Sequence, residues 1–243
     1  MKLSSLRVLP VAAVFALLTG CSSLNPFASS GNEPAPLAEF RPSAELVELW
    51  RADLGKAGSY VFKPAVAGDA VYAAARDGEV ARFESGGAVW RADADIPLSA
   101  GVGTDGRLAV VVATDGTVIA YDAREGGERW RSPIGAEVLA APAVSGDIVV
   151  VRASDQRLIA LSAADGSRRW VYQRANPPLA LRSFAGVVLE GGVALAGFPG
   201  GKLVALSLEN GGALWELTVS LPRGATELER VADVAGTPVV SRR

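Results

Sequence analysis

The spacing of five tryptophans is the feature that most narrows what this chain can fold into. They stand at positions 50, 90, 130, 170 and 215, at intervals of 40, 40, 40 and 45 residues. The residues around them repeat as well. "DGTVIAYDAREGGERWR" (115–131) returns as "DQRLIALSAADGSRRWV" (155–171) and again as "GGKLVALSLENGGALWE" (200–216). A period of this length marks a solenoid or a propeller, in which one unit cannot bury its faces alone and needs copies of itself as neighbours. Within one period the pattern is β. Short runs at 137–144, 148–154, 158–163 and 168–173 are separated by "SGD", "SDQR" and "ADGS". Short strands punctuated by Gly and Asp turns read as an antiparallel meander, and four such strands make one propeller blade. The sequence therefore predicts an all-β fold, a β-propeller of four-stranded antiparallel blades.

The small residues fit that reading. Gly78, Gly116 and Gly201 fall in turns before the third strand, and Gly86, Gly126, Gly166 and Gly211 in turns after it. Ala81, Ala120, Ala160 and Ala205 recur within the third strand and are expected to leave room for a neighbouring indole. Each tryptophan is placed in the fourth strand, covering the gap between blades. The WD repeat has a similar length but needs a Gly-His pair and an aspartate after its tryptophan. This chain has no histidine, and its tryptophans are followed by Arg51, Arg91, Arg131, Val171 and Glu216.

The N-terminus has a different character. Lys2 and Arg7 precede an apolar run at 8–18, "VLPVAAVFALL", of signal-peptide length and too short to span a bilayer comfortably. Leu18, Thr19, Gly20 and Cys21 then resemble the lipobox of bacterial lipoproteins, and the chain's single cysteine sits at the one position that motif needs. The resemblance implies a diacylglycerol on Cys21, cleavage before it, and acylation of the new N-terminus, enough for stable anchoring. Ser22, rather than an aspartate, implies sorting to the outer membrane. Residues 22–44 are rich in Ser, Pro, Ala and Asn and read as a flexible tether. The division expected is a signal peptide at 1–20, a lipidated tether at 21–44 and a partial propeller at 45–243.

Composition bears on function mainly by exclusion. Without Lys2 and Arg7 the mature chain has 22 basic against 26 acidic residues, a net charge of −4, which offers no electrostatic basis for binding nucleic acid. There is no histidine for acid–base or metal chemistry. The paired carboxylates Asp93 with Asp95 and Glu227 with Glu229 read as solvated faces. No catalytic set, metal site or cofactor site is expected, and the chain reads as a binding scaffold.

The pattern A-x-D-x-x-x-G-x-x-x-W, from Ala120 to Trp130, resembles the tryptophan-docking repeat of quinoproteins. That repeat occurs in quinone- and calcium-dependent dehydrogenases and in the BamB family of lipoproteins of the outer-membrane β-barrel assembly (BAM) machinery. The order of lipobox, Pro/Ser tether and repeats is similar to the second, as are "PPLALRSFAG" (177–186) and "GATELERVADVAGTPVV" (224–240). The resemblance implies an eight-bladed propeller, no cofactor, and a partner in the periplasmic POTRA domains of BamA. Unfolded outer-membrane proteins are a further implied partner. It places the chain on the periplasmic face of the outer membrane. About four blades are counted here, with "ELVELWRA" (45–52) expected as the strand that completes the last blade of a ring. The sequence thus predicts a truncated chain, an open arc of blades and poor solubility. A fragment of a quinoprotein dehydrogenase, or another periplasmic ligand-binding propeller, is the alternative.

Loop lengths point to a binding face. Trp50 to Pro64 is 14 residues and Trp130 to Pro142 is 12, but Trp215 to Pro238 is 23, and the period after Trp170 lengthens to 45. Both insertions enter at the same point of the repeat, so they should emerge on one face of adjacent blades, as binding loops do. Leu179, Leu181 and Arg182 in the first and Glu227, Arg230 and Asp233 in the second would give an apolar anchor with a charged rim. These stretches match the family's segments for contact with BamA. Where the family reads Asp-Val-Asp, this chain has Asp233, Val234 and Ala235, lacking the second acid. A direct Arg182–Asp233 pair, merely tying the loops together, is the competing expectation.

Overall fold

The computed structural model describes residues 37, 39, 43–175 and 179–241. Cys21, the leader and most of the tether lie outside the described residues. The chain divides into two units, Met1–Val47 and Glu48–Arg243. In the first, the described residues are exposed and carry no strand. Among the described residues, the second contains sixteen strands in four antiparallel sheets, each in simple meander order. Blade 1 is β1 (Ala65–Ala67), β2 (Ala70–Ala74), β3 (Glu79–Glu84) and β4 (Gly87–Asp93). Blade 2 is β5 (Leu98–Thr104), β6 (Leu108–Ala113), β7 (Thr117–Asp122) and β8 (Glu128–Pro133). Blade 3 is β9 (Ala143–Ser145), β10 (Ile148–Arg152), β11 (Leu158–Ser162) and β12 (Arg168–Tyr172). Blade 4 is β13 (Val188–Glu190), β14 (Val193–Phe198), β15 (Lys202–Ser207) and β16 (Ala213–Thr218).

The first strands of neighbouring blades run side by side, β1 with β5, β5 with β9 and β9 with β13, so the blades fan out from their first strands. Among the described residues the four sheets do not close into a ring.

Side-chain alternation explains why the middle strands read as unbroken apolar runs. In β6, Ala109, Val111 and Ala113 face blade 1, while Val110 and Val112 face blade 3. In β11, Ile159 and Leu161 face blade 2, while Leu158 and Ala160 face blade 4. Each inner sheet is buried on both faces, so both phases of the two-residue period are apolar. The described residues consequently form three cores, one between each pair of adjacent blades. Burying a side chain such as Leu161 or Val110 contributes roughly 1.5–3 kcal/mol.

The tryptophans lock the blades together. The indole N–H groups of Trp90, Trp130 and Trp170 donate to the carbonyls of Ala123, Ala163 and Leu208, each on the following blade, at 3.0, 2.9 and 2.9 Å. The rings lie over Gly126, Gly166 and Gly211, where a Cβ would come within 2.7, 2.5 and 2.6 Å of indole carbons. All three glycines have positive φ, 76°, 72° and 72°, so glycine is required both by backbone shape and by proximity. Trp50 lies over Gly86 in the same way. Trp215 is 48% exposed.

Three expectations need correction. The room for each indole is made by the turn glycine of the next blade rather than by the third-strand alanines. Ala120, Ala160 and Ala205 face their own blade's tryptophan across the sheet, but in blade 1 it is Arg82 that faces Trp90, with Ala81 opposite Arg91. The first strand of blade 3 spans only Ala143–Ser145, with a lone bridge between Val138 and Ala153. Pro142 interrupts it by lacking an N–H to pair. Finally, the described part of 45–52 forms no strand, so Trp50 docks from irregular chain.

Candidate partner-binding face

The two inserted connections do emerge together. They follow β12 and β16 and meet at the end of the propeller carrying the turns between second and third strands. Asp233 ties them. Its carboxylate accepts the Leu181 amide at 2.6 Å and the Gly200 amide, in the β14–β15 turn, at 3.3 Å. Thr237 adds a second tie, its hydroxyl accepting the Gly186 amide at 2.9 Å. Val234 donates to the Phe198 carbonyl at 3.2 Å and lies where only a glycine, Gly197, leaves space beneath it. The second connection is therefore clamped onto blade 4 and onto the first connection.

The second connection also organises itself. Thr226 and Glu229 form a capping box: the Glu229 carboxylate accepts the Ala225 and Thr226 amides at 2.8 and 3.0 Å, and the Thr226 hydroxyl accepts the Glu229 amide at 3.2 Å. Those amides, Thr226 first and then Ala225, hold the Glu229 carboxyl below its ordinary range. The other acidic pair is equally local, Asp93 accepting the Asp95 amide at 2.9 Å.

All six residues singled out from the sequence lie on this face. Leu179, Glu227, Arg230 and Asp233 line one hollow of about 220 Å³. Leu181 and Arg182 line a neighbouring one of about 200 Å³. Leu179 and Leu181 are about half exposed, at 48% and 53%, and Leu228 stands out further at 76%. Glu227 and Arg230 approach to 4.0 Å at the rim. Arg182 and Asp233 do not pair with each other. Arg182 reaches Glu137, on the connection between blades 2 and 3, at 2.9 Å, and its guanidinium lies 5.8 Å from the centre of the Tyr60 ring. Asp233 is occupied by backbone amides, so the competing expectation of a direct tie fails.

Glu137, Thr237 and Leu228 escaped sequence reasoning, as did Arg152 and Gln156 on the floor of the second hollow. The available signals were an arginine ending an apolar strand and a glutamine where other repeats have glycine. Among the described residues no cluster of His, Cys, Asp and Glu could hold a metal ion.

Blades docked by tryptophan onto a neighbour's glycine turn define the class, a β-propeller of PQQ-like repeats. The family model described as "Outer membrane protein assembly factor BamB" matches residues 76–243, and the chain belongs to that family. It is 42% identical to the outer membrane protein assembly factor BamB of Bordetella pertussis (strain Tohama I) over 93% of this chain and 58% of the relative. The crystal structure of BamB from Moraxella catarrhalis superposes with a TM-score of 0.69 at 30% identity, covering 74% of this chain and 55% of that one. The chain thus spans a little over half the length of these relatives. A quinohemoprotein alcohol dehydrogenase from Comamonas testosteroni shares the fold, with a TM-score of 0.53 at 17% identity over 67% of this chain and 35% of that one.

Proposed function

We propose that the chain serves as a non-enzymatic scaffold in outer-membrane protein assembly, anchored through lipid on Cys21 to the periplasmic face of the outer membrane. The face built by the two insertions would bind the POTRA domains of BamA and hold them in position for the insertion of β-barrel proteins. One observation carries this reading. Two separate connections are fastened to each other by Asp233 and Thr237, yet they leave Leu179, Leu181 and Leu228 exposed. A fold that orders its loops while keeping leucines in water has arranged an apolar anchor, and the rim charges Arg182, Glu227 and Arg230 complete an interface pattern. Membership of the BamB family supplies the class of partner.

The test is binding of isolated BamA POTRA domains to the wild type, Leu181→Ala and Arg182→Glu, with folding followed by circular dichroism. Truncating an interface leucine at a hot spot weakens binding by about 1–2 kcal/mol, roughly five- to thirtyfold. Equal binding by both folded variants would refute the assignment.

A further inference from the structure

The second hollow is lined by a cation that, among the described residues, forms no ion pair. Arg152 is only 7% exposed. Its guanidinium donates to the Ala185 carbonyl and to Gln156 Oε1, both at 3.3 Å and both neutral. It also lies 5.5 Å from the centre of the Phe198 ring. These two long bonds take two of the five N–H groups a guanidinium carries. The nearby carboxylates are spoken for: Glu137 holds Arg182, and Asp233 holds the Leu181 and Gly200 amides. Burial works against the charge, offset only in part by the field of Asp233, but arginine does not release its proton in proteins. A buried charge is normally paired, and among the described residues no carboxylate pairs with this one.

The surroundings look built for a ligand. Gln156 has φ = 71°, a backbone conformation that the corresponding turns give to Gly78, Gly116 and Gly201. A side chain there is costly, and such strain gathers at binding sites. Here it points an amide at Arg152. The walls are Leu139, Ala140 and Leu181, with Ser154 and Ser183 at polar positions. A guanidinium lining a mostly polar hollow, with Leu139 and Leu181 beside it, suits a carboxylate, which arginine grips with two parallel hydrogen bonds.

We propose that this hollow is a receptor for one acidic side chain, an aspartate or glutamate presented by the docked protein and seated on Arg152 beside Leu181. This rests on the partner-binding reading of the face and adds the chemistry of its deepest contact.

The test uses sodium propionate as a probe of the full chain, followed through the backbone amide resonances of Gln156, Leu181 and Ser183, which line the same hollow, with sodium chloride and inorganic phosphate as comparators. A saturable shift with propionate is expected, weakened at least about tenfold in Arg152→Met. Arg152→Lys, which keeps the charge but loses the fork, should be weakened similarly and serves if the methionine variant fails to fold. Propionate should also displace POTRA domains from the wild type but not from the variant. Propionate binding that is absent, that survives both substitutions, or that is weaker than phosphate binding overturns the proposal. So does POTRA binding indifferent both to propionate and to Arg152→Met. If the wild type binds propionate at Arg152 but no POTRA domain at all, the partner reading fails and the carboxylate site stands.

Discussion

Replacing Gly166 by alanine should unfasten blade 2 from blade 3. Two costs combine. At φ = 72° a side chain costs about 1–2 kcal/mol of backbone strain. The new Cβ would also sit 2.5 Å from Cε3 of Trp130, inside any real contact distance, so the indole must retreat. Its 2.9 Å hydrogen bond to Ala163 then lengthens or breaks, at about 1 kcal/mol, and a ring now only 8% exposed loses packing. Together these amount to about 3 kcal/mol. Gly146 supplies the control: its φ is 63°, and nothing lies within 4 Å of a Cβ there. Gly146→Ala should therefore cost only the backbone share. Urea unfolding followed by tryptophan fluorescence would show the Gly166 variant melting roughly 1 M earlier than the control. Equal midpoints for the two variants would refute the docking argument.

Further expectations concern the other tryptophans, the capping box and the anchor. Trp130→Phe loses the hydrogen bond to Ala163 and should cost about 1–2 kcal/mol, whereas Trp215→Phe, at a half-exposed ring, should stay within about 0.5 kcal/mol; urea titration compares them. The folded Glu229 carboxyl lies below its ordinary value of 4.5, so its stabilising effect is present above that value and fades as pH falls through the folded one. Protection of the Ala225 and Thr226 amides, measured relative to intrinsic exchange at each pH, should accordingly fall as the pH drops through the folded carboxyl's value, and Glu229→Gln should remove that loss; protection in the wild type that does not change with pH would count against the box. Metabolic labelling with a radioactive fatty acid should mark the wild type and not Cys21→Ala.

The fold was legible because a repeat writes its packing many times over. Five tryptophans and the turn glycines specified four-stranded blades, and the longer connections specified which face would carry Leu179 and Asp233. What periodicity could not give was the identity of a neighbour. Alanine and glycine recur with the same period, so spacing alone did not reveal that the indole of Trp90 rests on Gly126. Charges on loops were less legible still. Arg182 finds Glu137, which lies 45 residues earlier in the chain, because blades 2 and 3 bring their connections to one surface. Arg152 was hidden for the opposite reason: it ends the buried strand "IVVVR", where one polar residue makes no pattern.

Hydrogen–deuterium exchange of the chain with and without bound POTRA domains tests the central claim most directly, since it maps the contact without altering a residue. Slowed exchange should be confined to the two connections, residues 179–186 and 222–234, and to the adjoining turns at Gln156 and Gly200. Protection confined instead to the opposite end of the propeller, at the turns holding Gly106, Gly126 and Gly146, would contradict the claim.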